Sequence, residues 1–304
     1  MEIDLSTFPD GLFQYGGQPV GALWASPWST ARFVDGANGN DNNSGLKPTE
    51  AFDTIQAAVT ASGRGDVIYV RPQAYVVGTG FTRYTEDVTT VLAQSDLSII
   101  GTVNTTNPEF GVRWKYATAT CLTNIAPALH IENLGFFAED KKAISILTND
   151  TLNTHRGADG TTMYNCVIKG GGMTIVDGGT GLRIERCRFS PKYNGEVDNG
   201  LTYTASAIAR MFTIKDCEFM DGNGTVCDGP VITMTGTITE VMIRGCHFGQ
   251  TPTGNAYISG TATTVEGVVQ NCYFGNADMT LATGIAATGL LVSGIYDLTG
   301  LCVA

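Results

Sequence analysis

The sequence predicts an all-β fold, a single-stranded right-handed parallel β-helix with a short N-terminal capping helix and an extended N-terminal arm. Two observations carry this prediction. A short unit of alternating apolar residues returns six times, and the distance between successive units ranges from 21 to 32 residues. A loose repeat of this length is typical of solenoids, propellers and arrays.

The repeated unit predicts a bent pair of strands. In each copy apolar residues alternate, one extra residue intervenes, and the alternation then resumes, so the chain turns a corner while its apolar side chains keep pointing inward. The residue before the central slot is Asn, Asp or Gly in five of six units, and these types tolerate a left-handed backbone. The six corner residues are Asn133, Asn165, Arg186, Asp216, Gly245 and Asn271.

The rest of each repeat varies, which favours a β-helix over a propeller. Propeller blades need several antiparallel hairpins with their turn dipeptides, whereas each repeat here has one strong corner and a variable remainder. Stretches rich in Gly, Asn and Asp, such as 190–206 and 220–230, are predicted to leave the coil as loops.

One slot of the unit predicts an internal ladder of side chains. Parallel strands stack about 4.8 Å apart, so residues in the same slot of successive coils lie on top of one another. Packing of small apolar thiols is favoured over disulfides or metal binding, because no C-x-x-C pair occurs. The ladder consists of Leu134, Cys166, Cys187, Cys217, Cys246 and Cys272, while Cys121, Cys227 and Cys302 are unassigned.

The composition restricts the partners. The net charge of −11 and the pI near 4.6 argue against nucleic acid and against anionic membranes. The start of the chain is acidic, without the apolar stretch of a signal peptide, and no run of about 18 apolar residues predicts a membrane span. Free thiols are typical of assembly in a reducing cytosol.

Residues 1–30 differ from the rest and are interpreted as an arm preceding the β-helix domain of 31–304, which divides into a cap at 31–64 and coils at 65–304. The arm has no strand or helix period but is rich in aromatic residues, which favours docking onto another surface. Folding over its own β-helix end is the alternative. The docking residues are Phe8, Phe13, Tyr15, Trp24 and Trp28.

The cap contains a strand, an Asn/Gly/Asp loop, an amphipathic helix and the first coil strand. Asp53 or Thr54 is predicted to cap the helix, whose apolar face is Ile55, Ala58 and Val59. A helix there would cover the open first coil.

This stretch resembles the N-terminal cap of pectate-lyase-like right-handed β-helix proteins. The resemblance covers about 45 residues and lies in Phe33-Val34-Asp35, Asn40 to Gly45, Thr54-Ile55-Gln56 and Gly65-Asp66-Val67-Ile68-Tyr69-Val70, while the family's Pro-Gly-x-Tyr is altered to Pro72-Gln73-Ala74-Tyr75. It implies the fold, but not one function, because this fold hosts lyases, hydrolases, phage spikes and capsid proteins.

The cap, the start without a signal peptide and the aromatic arm together resemble structural proteins of tailed phages. The resemblance implies a non-enzymatic virion protein, most simply a capsid decoration or cement protein. It would dock through the arm and one end of the β-helix to the major capsid protein or another virion protein. It also implies a homo-trimer assembled in the host cytoplasm, with no cofactor, no nucleic acid and no membrane.

The alternative is a tailspike-type protein that degrades or binds a host polysaccharide. It predicts an aromatic-and-acid groove along one coil face. Glu185, Asp216 and Glu218 are the candidate acids, since they belong to the corners of consecutive coils; carboxylates about 5–10 Å apart can act as acid and base or nucleophile. Against catalysis, the motifs of the pectin-hydrolysing members are absent. The other candidate acids are Asp177, Glu196, Asp198, Asp221 and Asp228.

Two further groups of residues have side chains that can act as metal ligands. Asp35, Asn40 and Asp41 offer oxygen ligands for calcium, although Asx-turn hydrogen bonding explains the same residues without a metal. His130, His155 and His247 are isolated in sequence, so they are predicted to be surface or loop histidines, with His247 pointing outward.

Overall fold

The structure, a computed structural model, describes sixteen segments of the chain. They are 29–73, 75–76, 80–81, 84–102, 111–116, 119–138, 142–147, 158–177, 180–190, 200–219, 231–249, 256–260, 264–275, 285–286, 289–297 and 300–302. Nearly all strand pairs are parallel and join consecutive coils, so the predicted right-handed parallel β-helix is confirmed.

The coils present three faces, here called A, B and C, with strands numbered in chain order. Face A contains β5 (Val88–Thr90), β8 (Leu122–Asn124), β11 (Ile144–Leu147), β14 (Met173–Val176), β17 (Leu201–Arg210), β20 (Ile232–Arg244), β22 (Ile258–Gly260) and β25 (Ile285–Ala286). The two long strands β17 and β20 continue beyond face A, and β20 runs on into face B.

Face B lies before the predicted corner and face C after it. Face B contains β1 (Ala31–Val34), β2 (Val67–Val70), β6 (Ser98–Gly101), β9 (His130–Glu132), β12 (Thr162–Tyr164), β15 (Arg183–Glu185), β18 (Thr213–Lys215), β23 (Thr264–Gln270) and β26 (Leu290–Ser293). Face C contains β7 (Val112–Tyr116), β10 (Leu134–Ala138), β13 (Val167–Gly170), β16 (Arg188–Ser190), β19 (Glu218–Phe219), β21 (His247–Phe248), β24 (Tyr273–Phe274), β27 (Ile295–Asp297) and β28 (Gly300–Cys302).

The corner between faces B and C has the predicted left-handed backbone in every unit. The φ angles of the six corner residues lie between 50° and 65°, and Arg186 adopts 52° although its residue type does not favour this region. Arg186 compensates with its side chain, whose Nη1 donates a hydrogen bond of 2.6 Å to the Tyr164 hydroxyl. Asn165 donates a 2.6 Å side-chain hydrogen bond to Asn133, so neighbouring corners are also tied together.

Inside the coils, each slot forms a column. The predicted ladder from Leu134 to Cys272 is buried, and its five cysteines are free thiols. Burial raises the pKa of the Cys187 thiol well above its usual value. Beside the ladder the rings of Phe189, Phe219, Phe248 and Phe274 stack with centroids 4.8 to 4.9 Å apart, the spacing of the coils.

The capping helix α1 (Ile55–Ala61) covers the first coils as predicted. Thr54 is its N-cap and accepts a hydrogen bond of 3.1 Å from the Ala57 amide. Glu86, from the segment before β5, adds a second cap by accepting bonds of 2.8 and 2.7 Å from the amides of Ile55 and Gln56. The predicted helix face of Ile55, Ala58 and Val59 is fully buried in the core.

Two details differ from the sequence-based expectation. The sequence predicts a loop over 190–206, but residues 201–206 belong to β17. Leu201 and Tyr203 point inward and pair with the coils on either side, and Ala205 pairs with the next coil. At the other end β28 turns back and pairs antiparallel with β27, which no repeat unit predicted. A further hairpin pairs β3 (Tyr75–Val76) with β4 (Gly80–Phe81).

The structure describes two of the three cysteines outside the ladder. Cys121 is buried beside face C, where its thiol lies 3.5 Å from the carbonyl oxygens of Trp114 and Phe137. Burial raises the pKa of Cys121 to about 11, so this thiol is a packing group rather than a nucleophile. Cys302 lies in β28, and Cys227 lies outside the described residues.

Candidate functional site

The three predicted acids lie around one corner of two consecutive coils. Glu185 ends β15 on face B, and its register partner in the next coil is Lys215. Asp216 is the corner residue that follows Lys215, and Glu218 begins β19 on face C beyond that corner. The structure therefore brings the candidate acids to one part of the outer surface.

Each of these carboxylates faces a cationic side chain. Arg183 Nη2 lies 2.9 Å from Glu185, Lys215 Nζ lies 3.8 Å from Asp216, and Arg188 Nε lies 2.8 Å from Glu218. All three candidate carboxylates are therefore paired with cations at the outer surface of the coils.

Of the remaining candidate acids, the structure describes Asp177. Asp177 follows β14 on face A, with its backbone in the left-handed region at φ 53°. Glu196, Asp198, Asp221 and Asp228 lie outside the described residues.

Glu218 belongs to a longer row of outward side chains on face C, here called the aromatic–acid row. The strands of this face are in register, so the residue between the Cys and Phe slots occupies the same outward position in each coil. The row consists of Arg188, Glu218, His247, Tyr273 and Tyr296.

The aromatic half of the row is accessible to solvent. His247 is exposed as predicted, Tyr273 is partly exposed, and Tyr296 keeps 45% of its accessible surface. The centroids of the His247 and Tyr273 rings lie 4.8 Å apart with the rings tilted by 43°. Such rings offer an apolar face beside a polar tip, a combination suited to ligands that carry both apolar and hydroxyl surfaces.

Sequence reasoning identified Glu218 in this row but not the two tyrosines and did not join His247 to them. The signal was present in the repeat, as the outward residue between each Cys and Phe slot. The sequence did not reveal Tyr296 as a member of the row. Its coil has Ile295 in the slot that holds a cysteine in the other four coils of the row, so the repeat unit was not recognised there.

The oxygens of the calcium candidates accept hydrogen bonds from the protein itself. Asp35 accepts bonds from the Ala37 amide at 3.1 Å and from the Arg71 guanidinium at 2.6 Å. Asp41 accepts three bonds of 2.9 Å, two of them from Thr54. Asn40 closes an Asx turn with the Asn42 amide. This geometry is the Asx-turn alternative, and the calcium site stays a prediction.

Electrostatics in the cap follow from these contacts. Burial alone would raise the pKa of Asp35, but the hydrogen bonds from Ala37, Asn38 and Arg71 outweigh it and lower the pKa. Burial raises the pKa of Glu86 despite its two bonds to the amides of α1. Both carboxylates thus serve the cap. Among the described residues, no group of three or more His, Cys, Asp or Glu side chains could hold a metal ion.

The histidine prediction was wrong for His130. This residue faces outward on β9 but is only 6% exposed, because the adjacent coil and its own strand supply close polar neighbours. Its Nδ1 lies 2.7 Å from Thr162 Oγ1 and its Nε2 lies 3.1 Å from a Glu132 oxygen. His155 lies outside the described residues.

The predicted docking residues of the arm, Phe8, Phe13, Tyr15, Trp24 and Trp28, all lie outside the described residues, so the docking hypothesis stays a prediction. In the described part of the chain, no helix has the length and apolar character needed to cross a membrane.

Comparison with solved structures shows the fold. The chain is similar to a pectin methylesterase from Aspergillus niger in its deglycosylated form, with 12% identity, a TM-score of 0.51, and coverage of 90% of this chain and 85% of that one. It is also similar to a rhamnogalacturonan lyase, with 13% identity, a TM-score of 0.53, and coverage of 88% and 74%. No family model matches the sequence. No curated protein matches it either.

These similarities agree with the parallel β-helix fold of the chain. At 12–13% identity they show the fold alone, and one fold hosts many functions.

Proposed function

We propose that this protein binds a polysaccharide along the outer surface of face C. The observation that supports the proposal is the aromatic–acid row, in which a carboxylate, an imidazole and two phenol rings follow one another in successive coils. The glycan alternative predicts from the sequence an aromatic-and-acid groove along one coil face, and the row supplies side chains of both kinds on face C. The coils repeat about every 4.8 Å, so the row presents a regular series of contacts to a polymer lying along the axis.

The chemistry of the row favours sugars over other polymers with flat groups. Aromatic rings also stack on nucleic acid bases, but such binding needs a cationic groove, and this chain carries a net charge of −11. Tyrosine and histidine combine a ring face with a hydrogen-bonding tip, and Glu218 adds an acceptor beside them. A hydroxyl-rich ligand uses all of these groups.

Cleavage is not part of this proposal. The carboxylates that would perform it, Asp216 and Glu218, are held in ion pairs with Lys215 and Arg188. The proposed activity is binding of a polysaccharide without its cleavage. Release of reducing ends by the wild-type protein, lost in Asp216→Ala or Glu218→Ala, would extend the proposal to an enzyme.

Affinity electrophoresis tests the binding. The full chain is run in native gels that contain hydroxyethylcellulose, galactomannan or pectin, the last because the names of the two structural neighbours refer to pectin and rhamnogalacturonan. The double variant Tyr273→Ala/Tyr296→Ala should bind the retained polymer about tenfold more weakly, which corresponds to about 1.4 kcal/mol lost with the two rings.

The matched control is Phe137→Ala, which removes a partly exposed aromatic ring from another coil of face C. Its binding should equal that of the wild-type chain. Equal retention of the wild type and the double tyrosine variant would refute the aromatic–acid row as the binding surface.

As a second candidate we propose a non-enzymatic virion protein that docks to a major capsid protein, and one observation favours it. Met242, Val268 and Leu291 form an outward apolar row on face B at the C-terminal coils, where Met242 is 42% and Leu291 is 73% exposed. An exposed apolar row beside the end of a solenoid is suited to a protein partner.

This second candidate has its own tests. Immunogold labelling of source particles should place the protein over the head, and label at the tail tip would contradict it. Deleting residues 1–30 should abolish attachment to particles while leaving the far-ultraviolet circular dichroism of the β-helix unchanged. Sedimentation velocity tests the proposed trimer.

A further inference from the structure

A second outward row, on face A, carries hydroxyl groups without interruption. Six serine and threonine residues lie directly above one another in six consecutive coils, as the strand registers show. The alternation of buried and accessible residues along each strand shows that these six side chains point outward. Thr89 of β5 precedes them in the same register. We call this set the hydroxyl row: Thr123, Ser145, Thr174, Thr202, Thr233 and Ser259.

Strand propensity does not by itself explain the row. Threonine suits exposed strand positions, so an isolated threonine there needs no function. Face B provides the internal comparison, because one of its outward rows crosses the same stack of coils. That row is a mixture of acids, bases and rings: Glu132, Tyr164, Glu185, Lys215 and Arg244. Outward positions in this solenoid therefore accept varied side chains, and face A departs from that variety.

The chemistry of the hydroxyl row is uniform and neutral. Each member is both a donor and an acceptor, and the coil spacing repeats these groups about every 4.8 Å along the axis. Two more threonines, Thr204 and Thr235, face outward two positions later on β17 and β20 and widen the row there. Such a surface matches an extended polymer whose own hydroxyls recur along its length.

The ligand class follows from the charge. The row itself contains no ionised side chain, so an anionic polymer gains no ion pair on it and is repelled by the net charge of −11. A neutral polysaccharide loses nothing by the absence of charge and exchanges its water hydrogen bonds for those of the row.

We infer that the hydroxyl row is a second glycan-binding surface, selective for a neutral, extended polysaccharide that lies parallel to the β-helix axis. It lies on a different face from the aromatic–acid row and does not depend on it. A variant that loses binding at one surface can therefore keep binding at the other.

The test removes hydroxyls and keeps side-chain shape. The variant Thr123→Val/Thr174→Val/Thr202→Val retains the branched side chains that strands favour, so folding is preserved and can be checked by circular dichroism. Affinity electrophoresis of the full chain in hydroxyethylcellulose should show about tenfold weaker binding, because three hydrogen bonds of modest strength are lost.

A control variant removes three outward hydroxyls from faces B and C instead, as Ser190→Ala/Thr213→Val/Ser293→Ala. It should bind like the wild-type chain. A single Thr174→Lys, which places a charged side chain in the middle of the row, should reduce retention by hydroxyethylcellulose at least as much as the triple valine variant does. The same variant should be retained by polygalacturonate only slightly more strongly than the wild-type chain, because it adds a single positive charge.

The outcomes separate the two proposals. Unchanged binding by both the valine variant and Thr174→Lys overturns the hydroxyl row, and so does a wild-type chain that no neutral polymer retains. Loss in these variants with no loss in Tyr273→Ala/Tyr296→Ala supports the hydroxyl row and overturns the aromatic–acid row. Loss only in the tyrosine variant gives the reverse result.

Discussion

Replacing Phe219 by alanine should destabilise the β-helix more than any equivalent change on its surface. The Phe219 ring is 2% exposed and stacks between Phe189 at 4.8 Å and Phe248 at 4.9 Å. Truncating a buried phenylalanine costs about 3–5 kcal/mol, because transfer energy is lost and a cavity remains between two rings that the coil spacing holds apart. We expect a loss of about 4 kcal/mol in the free energy of unfolding.

Phe137→Ala is the matched control. This ring lies on the outer side of face C, partly exposed, with the Arg113 guanidinium 5.1 Å and the Lys169 ammonium 6.0 Å from its centroid. Exposed cation–π contacts contribute about 0.5–1 kcal/mol each, so the control should lose about 1–2 kcal/mol.

Equilibrium urea unfolding, followed by far-ultraviolet circular dichroism, measures both variants. The slope of the transition should be compared as well, since a solenoid weakened in its middle can lose cooperativity and unfold in parts. A Phe219→Ala variant that loses no more than Phe137→Ala would refute the argument that the stacked column holds the coils together.

Three further predictions concern the cap and the corner. Glu86→Ala should lower stability by about 1 kcal/mol, because the amides of Ile55 and Gln56 lose the cap of α1. Burial raises the pKa of Glu86 in the folded state, so ionisation of Glu86 favours the unfolded chain. The stability of the wild-type chain should therefore fall as the pH rises through the folded-state pKa of Glu86. The urea midpoint of the variant should not show this decrease. Asp35→Asn should cost about 1–2 kcal/mol at pH 7 by breaking the 2.6 Å pair with Arg71, and since the folded pKa of Asp35 is lowered, the loss should shrink as pH falls below 3.8. Asn165→Ala should melt lower than Asn165→Gly, because both lose the bond to Asn133 but only glycine accepts φ of 50° without strain; equal melting temperatures would contradict this.

The inward side of this fold could be predicted from the sequence because apolar periodicity records it directly. Leu134 and Cys272 were assigned to one column from spacing alone, and the structure buries both. The corner residues could also be predicted, because a left-handed backbone conformation restricts the type of amino acid. Only Arg186 departs from that restriction, and the hydrogen bond and ring contact of its side chain with Tyr164 compensate for the backbone conformation.

The outward side could not be predicted in the same way. Outward residues follow no hydrophobic period, and a row forms only when coils of unequal length are brought into register. Thr174, Thr202 and Thr233 are separated by unequal stretches of chain, so nothing in the sequence marks them as neighbours. The mistake at 190–206 has the same origin, because the exposed threonines of β17 resemble a polar loop until Leu201 and Tyr203 are seen to pair inward.

This difference explains why a parallel β-helix can change its ligand without changing its fold. The inward columns fix the coil spacing, and that spacing then applies equally to every outward row. Any side chain repeated at one outward position becomes a periodic surface, whether it carries rings, as in His247 and Tyr273, or hydroxyls, as in Thr174 and Thr202. Both proposed surfaces therefore consist of residues that folding constrains least, and substitutions that leave the core intact are the ones that should distinguish them.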